Sequence, residues 1–204
     1  MKTIHWTLLG AALVAALGAC ESATGPGAED GPVMEVAARG EDAPAASVSP
    51  DGGAPRFTHT ASRGSVEFRA RVYVRSSAGG WAELTDGAFQ RASVDAGGHG
   101  SSQIFAGSRV EAGTYDRVRL VFDEVNADIT ASVTVGGASL TGNVSVATGD
   151  SLVVERTIQA QASAGFTTQL LLNLNADAWL SRVNLATRTV SAADFASAIG
   201  VEVR

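Results

Sequence analysis

Ser65-Val66-Glu67-Phe68-Arg69-Ala70-Arg71-Val72-Tyr73-Val74-Arg75 is the stretch that decides the fold of this chain. Small or apolar side chains alternate in it with charged or aromatic ones, almost without a break. Alternation with period two is typical of a strand that has one face in a core and the other in water. The pattern therefore predicts a half-buried antiparallel strand whose inward residues are Val66, Phe68, Ala70, Val72 and Val74.

Further short strands follow this one up to the C-terminus. A serine- and glycine-rich turn leads into a return strand at 81–84, and similar segments recur between turn residues. The other predicted strands are 88–94, 102–105, 117–122, 129–135, 138–140, 144–146, 152–161, 169–175, 183–185, 187–190 and 200–203. Regular short strands of this kind predict an all-β fold, an antiparallel β-sandwich with Greek-key-like topology.

Two details of this β-domain are predicted more closely. The strand at 169–175 is the most apolar, so it is expected to be central, with Leu170, Leu172 and Leu174 facing the core. One short helix is predicted at 191–198, near the C-terminus, where Ser191 and Asp194 resemble a capping box.

The N-terminus has the features of a secretory leader. Lys2 precedes the apolar run Leu8–Leu17, and Leu17-Gly18-Ala19-Cys20 resembles the lipobox of bacterial lipoprotein precursors. The apolar run is too short to span a bilayer, which takes about 20 residues. The chain is therefore predicted to carry a lipoprotein signal peptide over residues 1–19. A plain signal peptide with a chance cysteine and a transmembrane helix are the alternatives.

The lipobox resemblance implies how the protein is held. In that class of protein the cysteine thiol, here Cys20, receives a diacylglyceryl group and the new N-terminus is acylated, often with palmitate. Two or three acyl chains give stable anchoring, so the membrane is the predicted partner. Glu21 is not the aspartate linked with inner-membrane retention, which favours the outer membrane of the cell envelope. Cys20 is the only cysteine, so no disulfide is expected.

Residues 20–62 are predicted to form a disordered acidic tether between this anchor and the domain at 63–204. All 5 prolines of the chain lie in this segment, together with many glycines and alanines. Its acids outnumber Arg39 and Arg56. Low hydrophobicity combined with net charge does not offset the entropy that ordering would cost.

Two segments of the domain resemble a known family. Val110-Glu111-Ala112-Gly113-Thr114-Tyr115-Asp116-Arg117-Val118-Arg119-Leu120-Val121 is similar to the L-x-A-G-x-Y-x-x-I-R-L core of the DUF4382 family. Leu172-Asn173-Leu174-Asn175-Ala176-Asp177 resembles that family's L-D-L-D-A-D segment, with asparagine in place of two aspartates. The resemblance covers about residues 64–204. It implies a β-sandwich in exported, often lipid-anchored bacterial proteins, and it supplies no activity.

Composition argues against several classes of function. The formal net charge is −6, whereas a nucleic-acid-binding protein would show a basic patch or stripe. Beyond His5 in the leader, the chain has only His59 and His99, which stand far apart, and the domain has no cysteine, so no zinc site is predicted. We expect no cofactor and no bound metal.

Three sets of residues are candidates for a functional site. Tyr73 and Trp81 are predicted to lie on one exposed hairpin face beside Arg69 and Arg71, as an aromatic platform for a sugar or a protein. The alternative is that Trp81 covers the edge of the sandwich.

The second candidate set is Asn173, Asn175 and Asp177, which would share one face of a strand. Their oxygens could hold Ca²⁺ or bind a sugar, although calcium usually takes several carboxylates. The alternative is the polar outer face of a strand. The third set is Asp123, Glu124 and Asp128, as an acid/base pair or, alternatively, a charged turn.

These observations predict a membrane-anchored envelope lipoprotein that is not an enzyme. Its β-sandwich would be a binding module for an envelope protein or glycan, with Tyr73, Trp81 and the Asn173, Asn175 and Asp177 row as candidate ligand-binding residues. The alternatives are a purely structural tethered module and a hydrolase acting on an envelope polysaccharide.

Overall fold

Two β-sheets pack against a shared apolar core. The computed structural model describes residues 31–41, 64–98, 101–135 and 138–204. The strands are β1 Val33–Gly40, β2 Gly64–Ser76, β3 Trp81–Glu83, β4 Gln90–Asp95, β5 Gln103–Arg109, β6 Gly113–Val135, β7 Ala138–Ala147, β8 Leu152–Ala162, β9 Thr167–Leu174, β10 Thr189–Ser191 and β11 Ile199–Val203. The helices are α1 Ala176–Leu180 and α2 Ala192–Ser197. The fold is therefore the all-β sandwich that the strand pattern predicts.

One sheet has four strands in the order β11-β9-β1-β5, and the other has seven. The path of the seven-stranded sheet is β10-β7-β6-β2-β3, with β4 beside β2 and β8 beside β6. Most pairs are antiparallel, as predicted, but β1 with β9 and β10 with β7 are parallel. A pairing between strands far apart in the chain leaves no local pattern, so the alternation alone does not indicate its direction.

The predicted tether is wrong over β1. Val33–Gly40 runs between β5 and β9, in register from Val33 opposite Thr167 to Gly40 opposite Leu174. Met34, Val36 and Ala38 are at most 1% exposed, because they alternate toward the core. The free energy gained by burying these apolar side chains is enough to order the strand, although the flanking residues are polar. The signal peptide, Cys20 and the rest of the predicted tether, apart from residues 31, 32 and 41 beside β1, lie outside the described residues.

Gly40 fixes where β1 ends against the other sheet. A Cβ at this position would collide with the backbone carbonyl oxygen of Asp95, the last residue of β4. Only glycine allows so close an approach of two backbones. Gly40 therefore allows the end of β1 to lie directly against the end of β4 in the seven-stranded sheet.

A row of aromatic rings crosses the core. Phe68 contacts Phe105 and Phe122 edge to face, with ring centroids 5.4 and 5.7 Å apart. Phe195 continues the row, 5.5 Å from Phe122 and 5.5 Å from Trp179. Rings in this arrangement contribute about 0.5–1.5 kcal/mol per pair beyond their buried area. The row links both sheets to both helices.

The strand pattern agrees with the predicted inward residues. Val66, Phe68, Ala70, Val72 and Val74 of β2 are at most 1% exposed. The predicted core leucines of β9, which lies inside its sheet, are also 1% exposed; they are Leu170, Leu172 and Leu174.

A tyrosine fixes the corner between β5 and β6, where the chain passes from one sheet to the other. The Tyr115 hydroxyl donates to the backbone carbonyl of Glu111 at 2.9 Å, and its ring is 4% exposed. A buried tyrosine bonded to a carbonyl a few residues upstream is the tyrosine corner of β-sandwiches. The Ala-Gly-x-Tyr segment is thus explained by the corner that it builds.

The two helices are short. The helix near the C-terminus is α2, as predicted: Ser191 caps it, and its Oγ accepts from the Asp194 amide at 3.1 Å. The sequence did not predict α1, which follows β9 directly. Within the described ranges, no helix is both long and apolar enough to cross a membrane.

Candidate functional site

The outer side of the seven-stranded sheet carries a dense array of charged and aromatic side chains. Period-two alternation in β2 directs its polar residues away from the core, and the neighbouring strands add theirs in register. We call this surface the arginine face. It comprises Arg69, Arg71, Tyr73, Arg75, Trp81, Glu83, Asp116, Arg117, Arg119, Asp123, Glu124 and Glu155.

Two arginines of β2 each form a bidentate pair with a single carboxylate. Arg71 donates through Nε and Nη2 to the two oxygens of Glu83, each at 2.8 Å. Arg75 does the same to Asp116, at 3.0 and 2.6 Å. These bonds lower the pKa of Glu83 and of Asp116, the hydrogen bond from each arginine being the main cause. Bidentate pairs of this kind hold both side chains in one geometry.

Two β-bulges in β6 supply acids to this face. The pairing of β2 with β6 shifts register where Asp116 and Asp123 stand, leaving each as an extra residue. Each of these acids contacts an arginine of β2: Asp116 binds Arg75, and Asp123 lies 3.2 Å from Arg69. The bulges thus insert carboxylates into an outward row without displacing an inward residue.

The bulges also change which residues of β6 face the core. Between the two bulges the buried residues are Val118, Leu120 and Phe122. After the second bulge they are Val125, Ala127 and Ile129. The shift at Asp123–Glu124 explains why the sequence indicated two strands where the structure has one of 23 residues.

Charge is distributed unevenly along the arginine face. Glu155 of β8 is shared by two arginines of β6, Arg119 at 2.7 Å and Arg117 at 3.6 Å. At the other end Arg69 is shared by two acids, Asp123 at 3.2 Å and Glu124 at 3.9 Å. One end therefore carries a surplus cation and the other a surplus anion. The balanced Arg71–Glu83 pair lies between them, and the balanced Arg75–Asp116 pair lies at the basic end, level with Arg117.

Trp81 lies at the basic end. The Arg119 guanidinium carbon is 4.1 Å from the centre of the indole, while the side chain of Trp81 is still 36% exposed. Trp81 and Arg75 are opposite each other across β3 and β2, and Tyr73 is opposite Glu83. Cation–π contacts of this kind contribute about 0.5–1 kcal/mol at exposed sites.

The predicted aromatic platform is thus partly right in its placement. Tyr73 and Trp81 lie on one outward face near Arg71, whose guanidinium carbon is 5.4 Å from the Tyr73 ring. Sequence reasoning missed Arg117, Arg119 and Glu155, which come from strands far along the chain. It also missed Phe89, within 6.0 Å of Arg71.

The predicted row of Asn173, Asn175 and Asp177 does not exist. β9 ends at Leu174; Asn175 caps α1 by accepting from the Ala178 amide at 3.0 Å, and Asp177 lies inside that helix. Asn173 is 3% exposed, accepts from Arg39 at 2.6 Å and donates to Glu202 at 2.9 Å. The helix start breaks period two, because the capping asparagine favours a helical turn.

The third candidate set is part of β6 and not a turn. Asp123 and Glu124 both contact Arg69, and Asp128 is opposite Ser65 of β2. Within the parts of the chain that the structure describes, no group of three or more potential ligands could hold a metal ion. His59 and His99 lie outside those parts.

An open cleft of about 640 Å³ lies on the four-stranded sheet, at its edge strand β5. Its wall includes Ile104, which is 54% exposed, and residues 84–86 before β4. Glu35, Asp86 and Arg109 give it mixed charge. It has no exposed aromatic side chain of the kind found at the arginine face.

Comparison with known proteins gives no independent evidence on function. No protein-family model matches the chain, and neither does any curated protein or solved structure. The resemblance to the DUF4382 family therefore stays a prediction.

Proposed function

We propose that this protein is a membrane-anchored binding module of the bacterial cell envelope, and that the arginine face docks an envelope glycan or protein. The observation that supports this most is the exposed Trp81 indole stacked with Arg119 at the end of the face that carries surplus positive charge. Aromatic rings beside charged groups are enriched where proteins bind partners. The role is contact and not catalysis.

Rigidity of the face supports the same role. Arg71 and Arg75 are held by bidentate pairs, and Arg119 is held by both Glu155 and Trp81. Side chains that are already ordered lose less entropy when a ligand arrives. A purely structural module would have no need for a tryptophan that is held by Arg119 and still 36% exposed.

The binding role has a direct test with a matched control. Trp81→Ala should abolish or weaken by about tenfold the binding of the full chain to its partner on a glycan array or among purified envelope proteins. Phe166→Ala is the control, because Phe166 is a 71% exposed aromatic residue outside the arginine face. Absence of binding to every glycan and envelope protein would leave the structural role.

The anchor forms the other half of the proposal. Cys20 would be lipidated and the leader over residues 1–19 removed, which places the protein on the envelope, with the outer membrane favoured by Glu21. Because β1 begins at Val33, the chain between Cys20 and the fold is about 12 residues and spans at most about 40 Å. The domain would therefore be held closer to the membrane than a tether reaching residue 62 would allow.

Substitution of the cysteine tests the anchor. Cys20→Ser should give an uncleaved or soluble precursor that takes up no labelled palmitate, because the serine hydroxyl cannot accept the diacylglyceryl group. Fractionation and labelling of cells expressing each form measure this. A Cys20→Ser protein that is processed and membrane-bound like the parent would contradict the lipid anchor.

A further inference from the structure

We infer that the ligand of the arginine face is an acidic glycan, a polysaccharide whose sugars carry carboxylates. Arg117 and Arg119 would bind one carboxylate, and Trp81 would contact the ring of the same or the next sugar. This inference rests on the proposed binding function and adds the chemical class of the ligand.

The arginines of the face differ in how many of their N–H donors are already used by carboxylates. Arg71 and Arg75 each use two nitrogens on one carboxylate. Arg119 uses only Nε, on Glu155 at 2.7 Å, and among the described residues its two terminal nitrogens donate to no protein acceptor. Arginine presents five donors in a planar fork, so the outer edge of Arg119 is free for an anion.

Arg117 is a second arginine at the same place whose guanidinium has N–H donors to spare. Its one ion pair within the described parts of the chain is the 3.6 Å contact with Glu155, a distance beyond a normal hydrogen bond. The side chain is 47% exposed. Arg117 and Arg119 are two residues apart on β6 and therefore point to the same side of the sheet.

The positive charge at the basic end of the face is not fully neutralised by its own carboxylates. Glu155 supplies one negative charge for the two arginines, whereas Arg71 and Arg75 each have a carboxylate of their own. The basic end therefore lacks one anion, which a single carboxylate would supply. The acidic end, where Arg69 faces two acids, would repel a second carboxylate and so orient a chain along the face.

The composition of the arginine face favours a glycan over a protein as its ligand. The core of a protein interface is enriched in aromatic residues and arginine but depleted in aspartate and glutamate. The arginine face has five carboxylates spread across its width and only Trp81 and Tyr73 as aromatic groups. A sugar fits this mixture, because its C–H face packs on an aromatic ring while its carboxylate and hydroxyls bond to the surrounding polar groups.

The test uses the full lipidated chain in detergent micelles and three polysaccharide probes of similar length. The probes are polygalacturonate, neutral dextran and dextran sulfate, with binding followed by calorimetry at two salt concentrations. We expect polygalacturonate to bind more tightly than either of the others, with weaker binding at the higher salt concentration. Dextran sulfate tests whether charge alone is enough.

Four variants locate the site. Arg117→Gln with Arg119→Gln should weaken binding to polygalacturonate at least about tenfold, and so should Trp81→Leu. Arg182→Gln is the control at an ion pair outside the arginine face and should not weaken binding. Circular dichroism of each variant shows whether it is folded. Arg119→Lys alone should keep only part of the parent's affinity, since lysine lacks the planar fork.

Several results would overturn the inference. Equal loss in Arg182→Gln would show that binding is general attraction of charge, and equal binding of dextran sulfate would show that carboxylates are not recognised. Trp81-dependent binding to dextran or to an envelope protein, unchanged in the Arg117→Gln, Arg119→Gln variant, would refute the acidic glycan and leave the proposed binding function intact. Absence of binding to any glycan or envelope protein would refute both.

Discussion

Arg119 shows how far the role of one side chain depends on neighbours that the fold supplies. In the sequence it is one of several outward residues in a strand of the family-like segment. In the structure it bridges Glu155 of β8 and Trp81 of β3, two strands that lie on opposite sides of the β6–β2 pair. Local alternation predicts that Arg119 points outward but does not indicate which residues it meets, because cross-strand pairs depend on register.

Tyr115 makes a prediction at the scale of one hydroxyl. Tyr115→Phe should lower the free energy of unfolding by about 1 kcal/mol, because the Glu111 carbonyl loses its donor while the ring stays packed. Urea unfolding measures the change. Tyr73→Phe on the outer face is the control and should change stability by less than about 0.5 kcal/mol. A loss no larger than that of the control would mean that the corner does not depend on this bond.

Glu83 predicts how stability depends on pH. The hydrogen bond from Arg71, the largest effect, lowers its pKa below the ordinary 4.5, so folding is favoured by the ionised form. This contribution is complete above the ordinary pKa and is lost as the pH falls through the lowered folded-state pKa.

Glu83→Gln lacks this contribution at every pH. The difference in urea midpoint between the parent and Glu83→Gln should therefore be largest near pH 6 and shrink toward pH 2. Asp116→Asn should behave in the same way, because Arg75 lowers the pKa of Asp116. A difference that stays constant down to pH 2 would contradict the assignment.

At the scale of elements, the best prediction came from β2, where alternation is long and unbroken. The sequence also contains a period-two signal in β1, where Met34, Val36 and Ala38 alternate, but the signal is short and flanked by prolines and acids. The composition averaged over residues 20–62 therefore predicts a tether, although β1 forms within that segment. In β6 the two bulges shifted the alternation, so a single strand was interpreted as two strands and a charged turn.

The same limit applies to the candidate site. Tyr73 and Trp81 could be placed on one face because a short turn joins their strands, whereas Glu155 could not, since β8 pairs with β6 only in the folded sheet. The Asn173, Asn175 and Asp177 row was predicted by extending period two past the end of β9. The helix that begins after Asn175 ends that period.

Met34 tests whether β1 belongs to the core. Met34→Ala should lower the free energy of unfolding by about 2–5 kcal/mol, because the side chain is fully buried and its removal leaves a cavity. Chemical denaturation measures the change, with the half-buried Val33→Ala as a control that should cost less. A cost under about 0.5 kcal/mol would mean that residues 33–40 behave as a linker.

At the scale of the whole molecule, the sequence indicated a sandwich because many short amphipathic strands need a second layer to bury their apolar faces. It did not indicate the strand order, since β1, β5, β9 and β11 of one sheet are spread along the chain. The aromatic row from Phe105 to Trp179 then joins the two sheets through one core.

A shared core predicts that the protein unfolds as one unit. The chain has 3 tryptophans, so Trp6→Phe with Trp81→Phe leaves Trp179, buried in α1, as the only one. Its fluorescence and the far-ultraviolet circular dichroism should change at the same urea concentration with the same slope. Two separate transitions would show that the sheets unfold independently.

The position of β1 also has a mechanical consequence. The strand nearest the proposed anchor lies inside its sheet, bonded to β9 on one side and to β5 on the other. A pull from the N-terminal side along the axis of β1 loads both ladders in shear, so their bonds must break together and not one after another. The proposed connection to the membrane would therefore enter the fold at a strand held on both sides, which would suit the proposed role of holding on to a large polymer.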